Sequence, residues 1–383
     1  MSFFVAAISF SFAPQRAMPA ALTPTVSFIP AAPPTPPACL MPAATHFAAL
    51  PQFTEPTILA APLNLVAALL AALASFVALP AIVPATYFAG TVILLIGLAV
   101  ALRQEMPRAS GLDKTVCLGP VFFAAPLAVF GAEHLTVTRA MTGMVPHWIP
   151  WHFFWVVFVG LALEAAALSL AVRRVDGLAS ALLGVMFFCF VVLMALPGLA
   201  GNPHNRFAWT LTFRETTFSL CCFAYASTLA AGRWRAVGAR VAVVARVVVG
   251  AVLIFYGVEH FLHPQFVPVI PLELPLPAWM PLHLLIGYGV GAALMAAGLA
   301  LLANWRARAA ATLLGLLITV VVLLVYLPIL AVHPADIEVG MNYFADTLFF
   351  GGGILMLAGA IPPEARKHAV VPAADRERLA ISG

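Results

Sequence analysis

The sequence predicts an all-α, polytopic integral membrane protein of about ten transmembrane helices, arranged as two parallel-repeat four-helix bundles after an N-terminal helical hairpin. Hydrophobic residues make up 63% of the 383 residues and charged residues only 9%, whereas a soluble domain carries about 25% charged residues. The apolar stretches are continuous and about 20 residues long, the length that lets a helix cross a bilayer. The third observation is an internal repeat, described below.

The composition also excludes several classes of function. A soluble enzyme would need a polar surface that this chain lacks, so its expected partner is the lipid bilayer. The net charge is +4 with scattered basic residues, which excludes the basic surface that nucleic-acid binding requires. The five cysteines have neither a C-x-x-C nor a zinc-type spacing, so no disulfide framework or thiolate metal site is expected.

Stretches without charge locate the helices. No Asp, Glu, Lys or Arg occurs between Glu55 and Arg103, and Pro80 and Pro84 divide that stretch into a hairpin of two helices. The later helices are separated by short polar or basic segments. The ten expected helices are 63–82, 85–102, 117–135, 149–172, 178–200, 208–231, 241–262, 280–303, 308–332 and 342–361.

The same pattern divides the chain into five parts. The first part is rich in Ala and Pro and is expected to be disordered. Its apolar start lacks a basic n-region, so no signal peptide is predicted, and Met18 or Met41 is an alternative start. The parts are this segment at 1–60, the hairpin and a basic loop at 61–115, a first four-helix unit at 116–235, a second at 236–362, and a tail at 363–383.

Lysine and arginine predict the orientation. Fifteen of them lie at one side of the expected helices, whereas the opposite loops hold only Arg139 and Arg206. Cytoplasmic loops carry the excess of basic residues. The sequence therefore predicts that both termini are cytoplasmic.

The second half of the chain repeats the first. At a shift of 131 residues, matches at Trp, Pro, His and acidic residues recur, and such matches are rare by chance in apolar sequence. Each copy has an even number of helices, so both copies are expected to cross the membrane in the same direction. The matches include Trp148 with Trp279, His152 with His283, Leu196-Pro197 with Leu327-Pro328, and Glu215 with Asp346; at a shift of 126, Glu133-His134 matches Glu259-His260.

Ionisable residues within the helices gather toward the outer side. Such residues are costly in a membrane and mark functional sites. A carboxylate with two imidazoles can bind a divalent metal, relay protons or hydrogen-bond a quinone headgroup, although the same side chains can instead fasten loops and helix ends. Two clusters of three helices each are predicted: Glu133, His134, His152 and Glu215 in the first copy, and Glu259, His260, His283 and Asp346 in the second.

Some polar residues differ between the copies. Arg214 aligns with Ala345 and is expected to neutralise Glu215 or another outer acid, which would leave the second site as the active one. Glu164, in the middle of its helix, aligns with Met295 and needs a partner that the sequence does not identify. The adjacent Cys221 and Cys222 are expected to be packing residues.

The motif G-x-E-H-[LF] at an outer helix end, followed by W-[IM]-P-x-H, an outer Leu-Pro and a late acidic-Thr pair, resembles the DoxX-like membrane family. The segment Gly257–Pro362 is the closer match and Val129–Ala230 the more diverged one. The resemblance implies a four-helix bundle per unit in a bacterial or archaeal membrane, and the expected location of this chain is a bacterial inner (plasma) membrane. For a few relatives it implies a subunit of a thiosulfate:quinone oxidoreductase. The tandem fusion and the extra hairpin depart from the usual single unit.

The leading hypothesis is a redox-associated DoxX-like membrane protein, in which the outer Glu, His and Asp clusters bind a quinone headgroup or a metal, with a redox partner subunit. One alternative is a carrier or channel for a small solute, with a pathway between the two bundles that continues inward past Glu164. Another is a non-catalytic assembly subunit. The sequence leaves open whether the protein is an enzyme.

Overall fold

A computed structural model describes residues 70–71 and 73–363. The described part is helical apart from turns, loops and an isolated bridge between Phe266 and Pro275, which confirms an all-α, polytopic membrane protein. Eight described helices are long and apolar enough to cross a bilayer, and a ninth, α5, is more polar. The helices are α1 (Ile82–Glu105), α2 (Asp113–Thr136), α3 (His152–Val172), α4 (Asp176–Gly201), α5 (Arg206–Thr228), α6 (Trp234–Leu262), α7 (His283–Leu302), α8 (Ala307–Val332) and α9 (Ile337–Ala360).

The chain divides into two compact units, one of which comprises residues 13–76. That unit is described only at 70–71 and 73–76, where the chain is helical. Most of the predicted first hairpin helix, 63–82, lies outside the described residues, as do the predicted disordered segment 1–60 and the tail from residue 364 onward. Helices α1 to α9 all belong to the other unit.

The backbone carries the internal repeat. Six of the seven described non-glycine residues with positive φ form pairs related by the shift of 131 residues. This conformation is uncommon for residues with a Cβ atom, so its recurrence at equivalent positions shows that both copies fold alike. The pairs are Trp151 with Leu282, before the second helix of each copy, and Arg173 with Asn304 and Val175 with Arg306, in the turn after that helix.

A π turn interrupts the third helix of each copy, at Val191–Ala195 in α4 and at Val322–Tyr326 in α8. In both copies a Leu-Pro pair follows it, with Pro197 and Pro328 at equivalent positions. Proline lacks an N–H group and its ring clashes with the carbonyl four residues earlier. The wider π turn accommodates the proline without ending the helix.

The two copies share one core. In each copy the first helix packs on the second and the third on the fourth. The fourth helix of each copy also packs on the first helix of the other, α5 on α6 and α9 on α2, and α5 and α9 contact each other. Accordingly, 78% of α9 is buried, compared with 28% of α1 and of α4. Helices α2 and α9 are therefore the most buried of the eight apolar helices, and α5 and α6 form the equivalent contact between the copies.

Phenylalanine side chains fill this shared core. Phe218 and Phe349 are equivalent in the two copies, and their ring centroids lie 4.2 Å apart. Phe123 of α2 lies 4.0 Å from Phe349, and Phe187 of α4 lies 5.7 Å from it. A closely packed aromatic cluster therefore fills the contact between the two copies.

Contacts at both ends show that the copies run in the same direction. At one end Arg173, after α3, pairs with Glu105 of α1 at 2.5 Å, and Arg308 at the start of α8 pairs with Asp113 at the start of α2 at 2.8 Å. At the other end the Tyr326 hydroxyl donates to the carbonyl of Pro268 at 2.5 Å. We name this second end, formed by segments 137–151, 202–205, 263–282 and 333–336, the outer end, because the basic residues predict that it faces outward.

The outer loops of the two copies differ. Segment 263–282, which we name the plug loop, is five residues longer than its counterpart 137–151 and folds back into the protein. Its side chains at Val267, Val269, Ile270 and Leu272 are buried. In the first copy, α1 instead covers the outside of α2 and α3, and no described helix takes its place on the second copy.

Candidate functional site

A three-residue ion network, Arg214–Glu215–Asp346, lies where α5 and α9 meet. Arg214 Nη2 donates to Glu215 Oε1 at 2.7 Å, and its Nη1 donates to Asp346 Oδ2 at 2.6 Å. Glu215 and Asp346 are equivalent in the two copies, and Ala345 takes the place of a second arginine. One guanidinium group therefore neutralises both acids, and the fork shape of arginine suits this bridging role.

The two predicted clusters are thus joined rather than separate. The prediction assigned Glu215 to a cluster of the first copy and Asp346 to a cluster of the second. Arg214 was expected to neutralise one outer acid, whereas it binds one from each copy. The physical reason is that the fourth helices of the two copies pack on each other at this level.

In the second copy, Glu259 is neutralised by an arginine from the first copy. Arg206, at the start of α5, donates from Nη1 to Glu259 Oε2 at 2.9 Å and to the carbonyl of Pro271 at 3.1 Å. Its Nη2 lies 3.4 Å from Glu273 Oε1 in the plug loop. Arg206 therefore ties Glu259 to the plug loop, which is a structural role for this carboxylate.

His260 fastens the same loop. The backbone N–H of Val269 donates to His260 Nε2 at 2.9 Å, so Nδ1 carries the ring proton and donates to the carbonyl of Tyr256 at 2.6 Å. Both ring nitrogens are occupied. Val269 has a φ of 80°, which is strained for a β-branched residue, and the hydrogen bond to His260 helps to hold it.

In the first copy, the equivalent His134 is bound at one nitrogen. Its Nδ1 lies 2.7 Å from the carbonyl of Phe130, as Nδ1 of His260 does from that of Tyr256. Among the described residues, no backbone N–H reaches Nε2 of His134, because the shorter loop of this copy does not fold back. Both histidines pack over a glycine of the next helix, Gly160 or Gly291.

Glu133 differs most from its equivalent. Its side chain is 5% exposed, and no described residue makes a hydrogen bond to Oε1. On α9, the side-chain amide of Asn342 donates a hydrogen bond to the Glu133 carboxyl, its own Oδ1 is buried without a hydrogen-bond partner in the described chain, and Asp346 also lies nearby. Ile337, at the start of α9 in the second copy, is equivalent to Arg206, so Glu133 has no arginine at the position from which Arg206 binds Glu259. Burying a carboxyl oxygen without a donor is costly.

The remaining predicted site residues lie at helix starts. His152 is half-buried at the first residue of α3, and His283 is exposed at the first residue of α7. Within the part of the chain that is described, no group of three or more His, Cys, Asp or Glu side chains is arranged to hold a metal ion.

Sequence reasoning overlooked two residues that decide the site. Arg206 was counted only for orientation, and Asn342 was not considered. Both depart from the repeat, since Arg206 aligns with Ile337 and Asn342 with Leu211. Polar residues that occur in only one copy were thus the sequence feature that could have identified these two residues.

Comparison with protein-family models, with curated proteins and with solved structures finds no match to this chain.

Proposed function

We propose that this chain is a DoxX-like protein of a bacterial inner membrane, with cytoplasmic termini, and that it binds a quinol headgroup beside Glu133 in a redox-associated role. The observation that carries the proposal is the pair of buried acceptors, Glu133 Oε1 and Asn342 Oδ1, which no described donor satisfies. The family assignment rests on the repeated motifs and on the matching backbone of the two copies.

The chemistry of the two acceptors favours the reduced form of the ligand. Both oxygens need a donor, and a quinol brings two hydroxyl groups whereas a quinone brings only carbonyl acceptors. A hydroxyl donating to a carboxylate contributes about 1.5–3 kcal/mol. Oxidation of the quinol to the quinone releases two protons and two electrons: this carboxylate accepts one proton, and the second proton is released to water at the outer end. The two electrons then pass to a redox partner subunit, which the proposal requires.

The second copy supports this assignment by contrast. Glu259 is paired with Arg206, and both nitrogens of His260 are occupied. These residues hold the plug loop, and no buried acceptor among them lacks a hydrogen-bond partner in the described chain. Ligand binding is therefore assigned to the first copy, opposite to the expectation from Arg214.

A solute pathway between the two halves is less well supported. That alternative needs a polar cavity between the copies, whereas the rings of Phe218 and Phe349 lie 4.2 Å apart where the copies meet. A carrier would have to separate this aromatic cluster in each cycle.

Quinone analysis of the purified protein tests the proposal. The protein is extracted in mild detergent and its bound quinones are quantified after solvent extraction. The wild type and Glu259→Gln should retain bound quinone, and Glu133→Gln should lose at least about nine-tenths of it, since one charge-assisted hydrogen bond is worth about tenfold or more. Equal amounts in wild type and Glu133→Gln, or no quinone in the wild type, would contradict the proposal. A redox subunit should co-purify with the wild type.

A further inference from the structure

A second acid of the first copy, Glu164, lies in the middle of α3 and is not part of the site beside Glu133. It faces α2 at Gly131, where a methyl group would lie 2.8 Å from Glu164 Oε1. Glu133, two residues after Gly131, projects from a different side of α2, since residues two apart diverge by about 200° on a helix. The two acids therefore belong to different surfaces.

His134 lies on the same surface as Glu164. A methyl group at Gly160 would lie 2.9 Å from His134 Cβ, so His134 packs on α3 one turn outward of Glu164. Gly131 and His134 are three residues apart on α2, and Gly160 and Glu164 are four apart on α3, which places each pair on one helix face. The imidazole and the carboxyl are thus neighbours along the contact between α2 and α3.

Glu164 has no compensating charge in the described chain. It makes no hydrogen bond and no ion pair there, and it is half-buried at mid-helix. The titratable or charged groups on the helices packed around it are His134 on α2, Glu133 on another side of α2, Asp113, Lys114 and Cys117 at the inner end of α2, Tyr87 near the outer end of α1, Arg103 and Glu105 at the inner end of α1, and Asp176 and Cys189 on α4. Of these, His134 is the one placed next to it.

The second copy has neither the mid-helix acid nor a histidine with an unoccupied Nε2 at the equivalent positions. Met295 takes the place of Glu164 and packs on Gly257, as Glu164 packs on Gly131. His260 takes the place of His134, but its Nε2 is occupied by Val269. In the first copy, Nδ1 of His134 donates to the carbonyl of Phe130, and no described residue makes a hydrogen bond to Nε2.

We infer that Glu164 is a proton-binding site within the membrane and that His134 exchanges its proton with the outer side. Nε2 of His134 takes up a proton from the outer end, and the resulting imidazolium transfers it to a carboxylate oxygen of Glu164. The products are a neutral imidazole and a neutral carboxylic acid, and the reverse steps release the proton. A carboxyl without a counter-charge in an apolar environment favours this neutral form. The inference does not depend on quinol binding.

Labelling with dicyclohexylcarbodiimide tests it, because this apolar reagent reacts with protonated carboxyl groups in apolar surroundings. The purified full-length protein is labelled across a range of pH and the modified residue is located by mass spectrometry. The label is expected at Glu164, with at least about tenfold less labelling in Glu164→Gln. His134→Phe should slow labelling several-fold at low pH and change its pH profile.

Met295→Glu within Glu164→Gln provides the matched control. It places an acid at the equivalent position, beside a histidine that is already occupied, and should be labelled more slowly than Glu164. Thermal unfolding of each variant verifies that it is folded, and His134→Gln replaces His134→Phe if the latter is not. No label at Glu164, or an unchanged rate and pH profile in the His134 variant, would overturn the inference.

Discussion

Arg214 of α5 binds Asp346 of α9 across the contact between the two copies, with 2.6 Å between Nη1 and Oδ2. The same guanidinium binds Glu215, the equivalent of Asp346 in its own copy, at 2.7 Å. One cation therefore compensates two buried acids at equivalent positions, which would otherwise repel each other. Arg214 thus provides the positive charge for both Glu215 and Asp346.

Removing that cation should destabilise the whole protein. Arg214→Met leaves Glu215 and Asp346 buried without their arginine, and the loss of one partner from a buried ionic network costs about 3–5 kcal/mol. The expected result is a marked fall in Tm in detergent. Adding Glu215→Gln and Asp346→Asn to Arg214→Met should recover much of the loss, because neutral side chains need no counter-charge. A triple variant no more stable than Arg214→Met would contradict this account.

The folded position of the plug loop should depend on His260 being in its neutral form. Protonation of Nε2, or His260→Phe, removes the acceptor for the Val269 N–H. Loss of one hydrogen bond is worth about 1 kcal/mol, so the protection factor of the Val269 amide, which corrects for the slower chemical exchange at lower pH, should fall several-fold as the pH falls or in the variant. Hydrogen–deuterium exchange of segment 263–282 measures this.

His134→Phe is the matched control for the plug loop, because His134 binds no loop residue in the described chain. Exchange in segment 263–282 should be the same in this variant as in the wild type. Equal protection of Val269 in His260→Phe and in the wild type would show that the hydrogen bond does not hold the loop.

Because α6 and α7 are in close contact at Gly291, adding even one methyl group at this position should destabilise the protein. A methyl group there would lie 2.8 Å from His260 Cβ, whereas one at Gly289, on the same helix, would meet no atom within 4 Å. Overpacking a tight contact costs about 1–3 kcal/mol. Gly291→Ala should therefore lower Tm and Gly289→Ala should not; equal effects of the two would argue against the packing described.

The same direction of the two copies predicts paired labelling. Trp148 and Trp279 are equivalent and exposed at the outer end, and Arg174 and Trp305 are equivalent and exposed at the other end. In a variant without native cysteines, Trp148→Cys and Trp279→Cys should react with an impermeant maleimide added outside whole cells. Arg174→Cys and Trp305→Cys should react only after lysis. Labelling of the members of one pair from opposite sides would rule out parallel copies.

The sequence was sufficient to predict the nine described helices and the repeat, because charge-free stretches and recurring motifs can be read directly from it. Charge-free stretches set the span lengths, and Pro197 and Pro328 mark the positions where both copies widen into a π turn. The partners of the acids were not predictable in this way. Glu215 meets Asp346, and Glu259 meets Arg206, only because the fourth helix of one copy packs on helices of the other, and a repeat in sequence does not specify how its copies associate.

The most direct test of the central claim is a binding titration of the purified protein with a short-chain benzoquinol. The account predicts that the wild type and Glu259→Gln bind the quinol with similar Kd and that Glu133→Gln binds it at least about tenfold more weakly, as expected for one lost charge-assisted hydrogen bond. The oxidised quinone should bind the wild type more weakly than the quinol. Equal affinity of wild type and Glu133→Gln for the quinol would contradict the account.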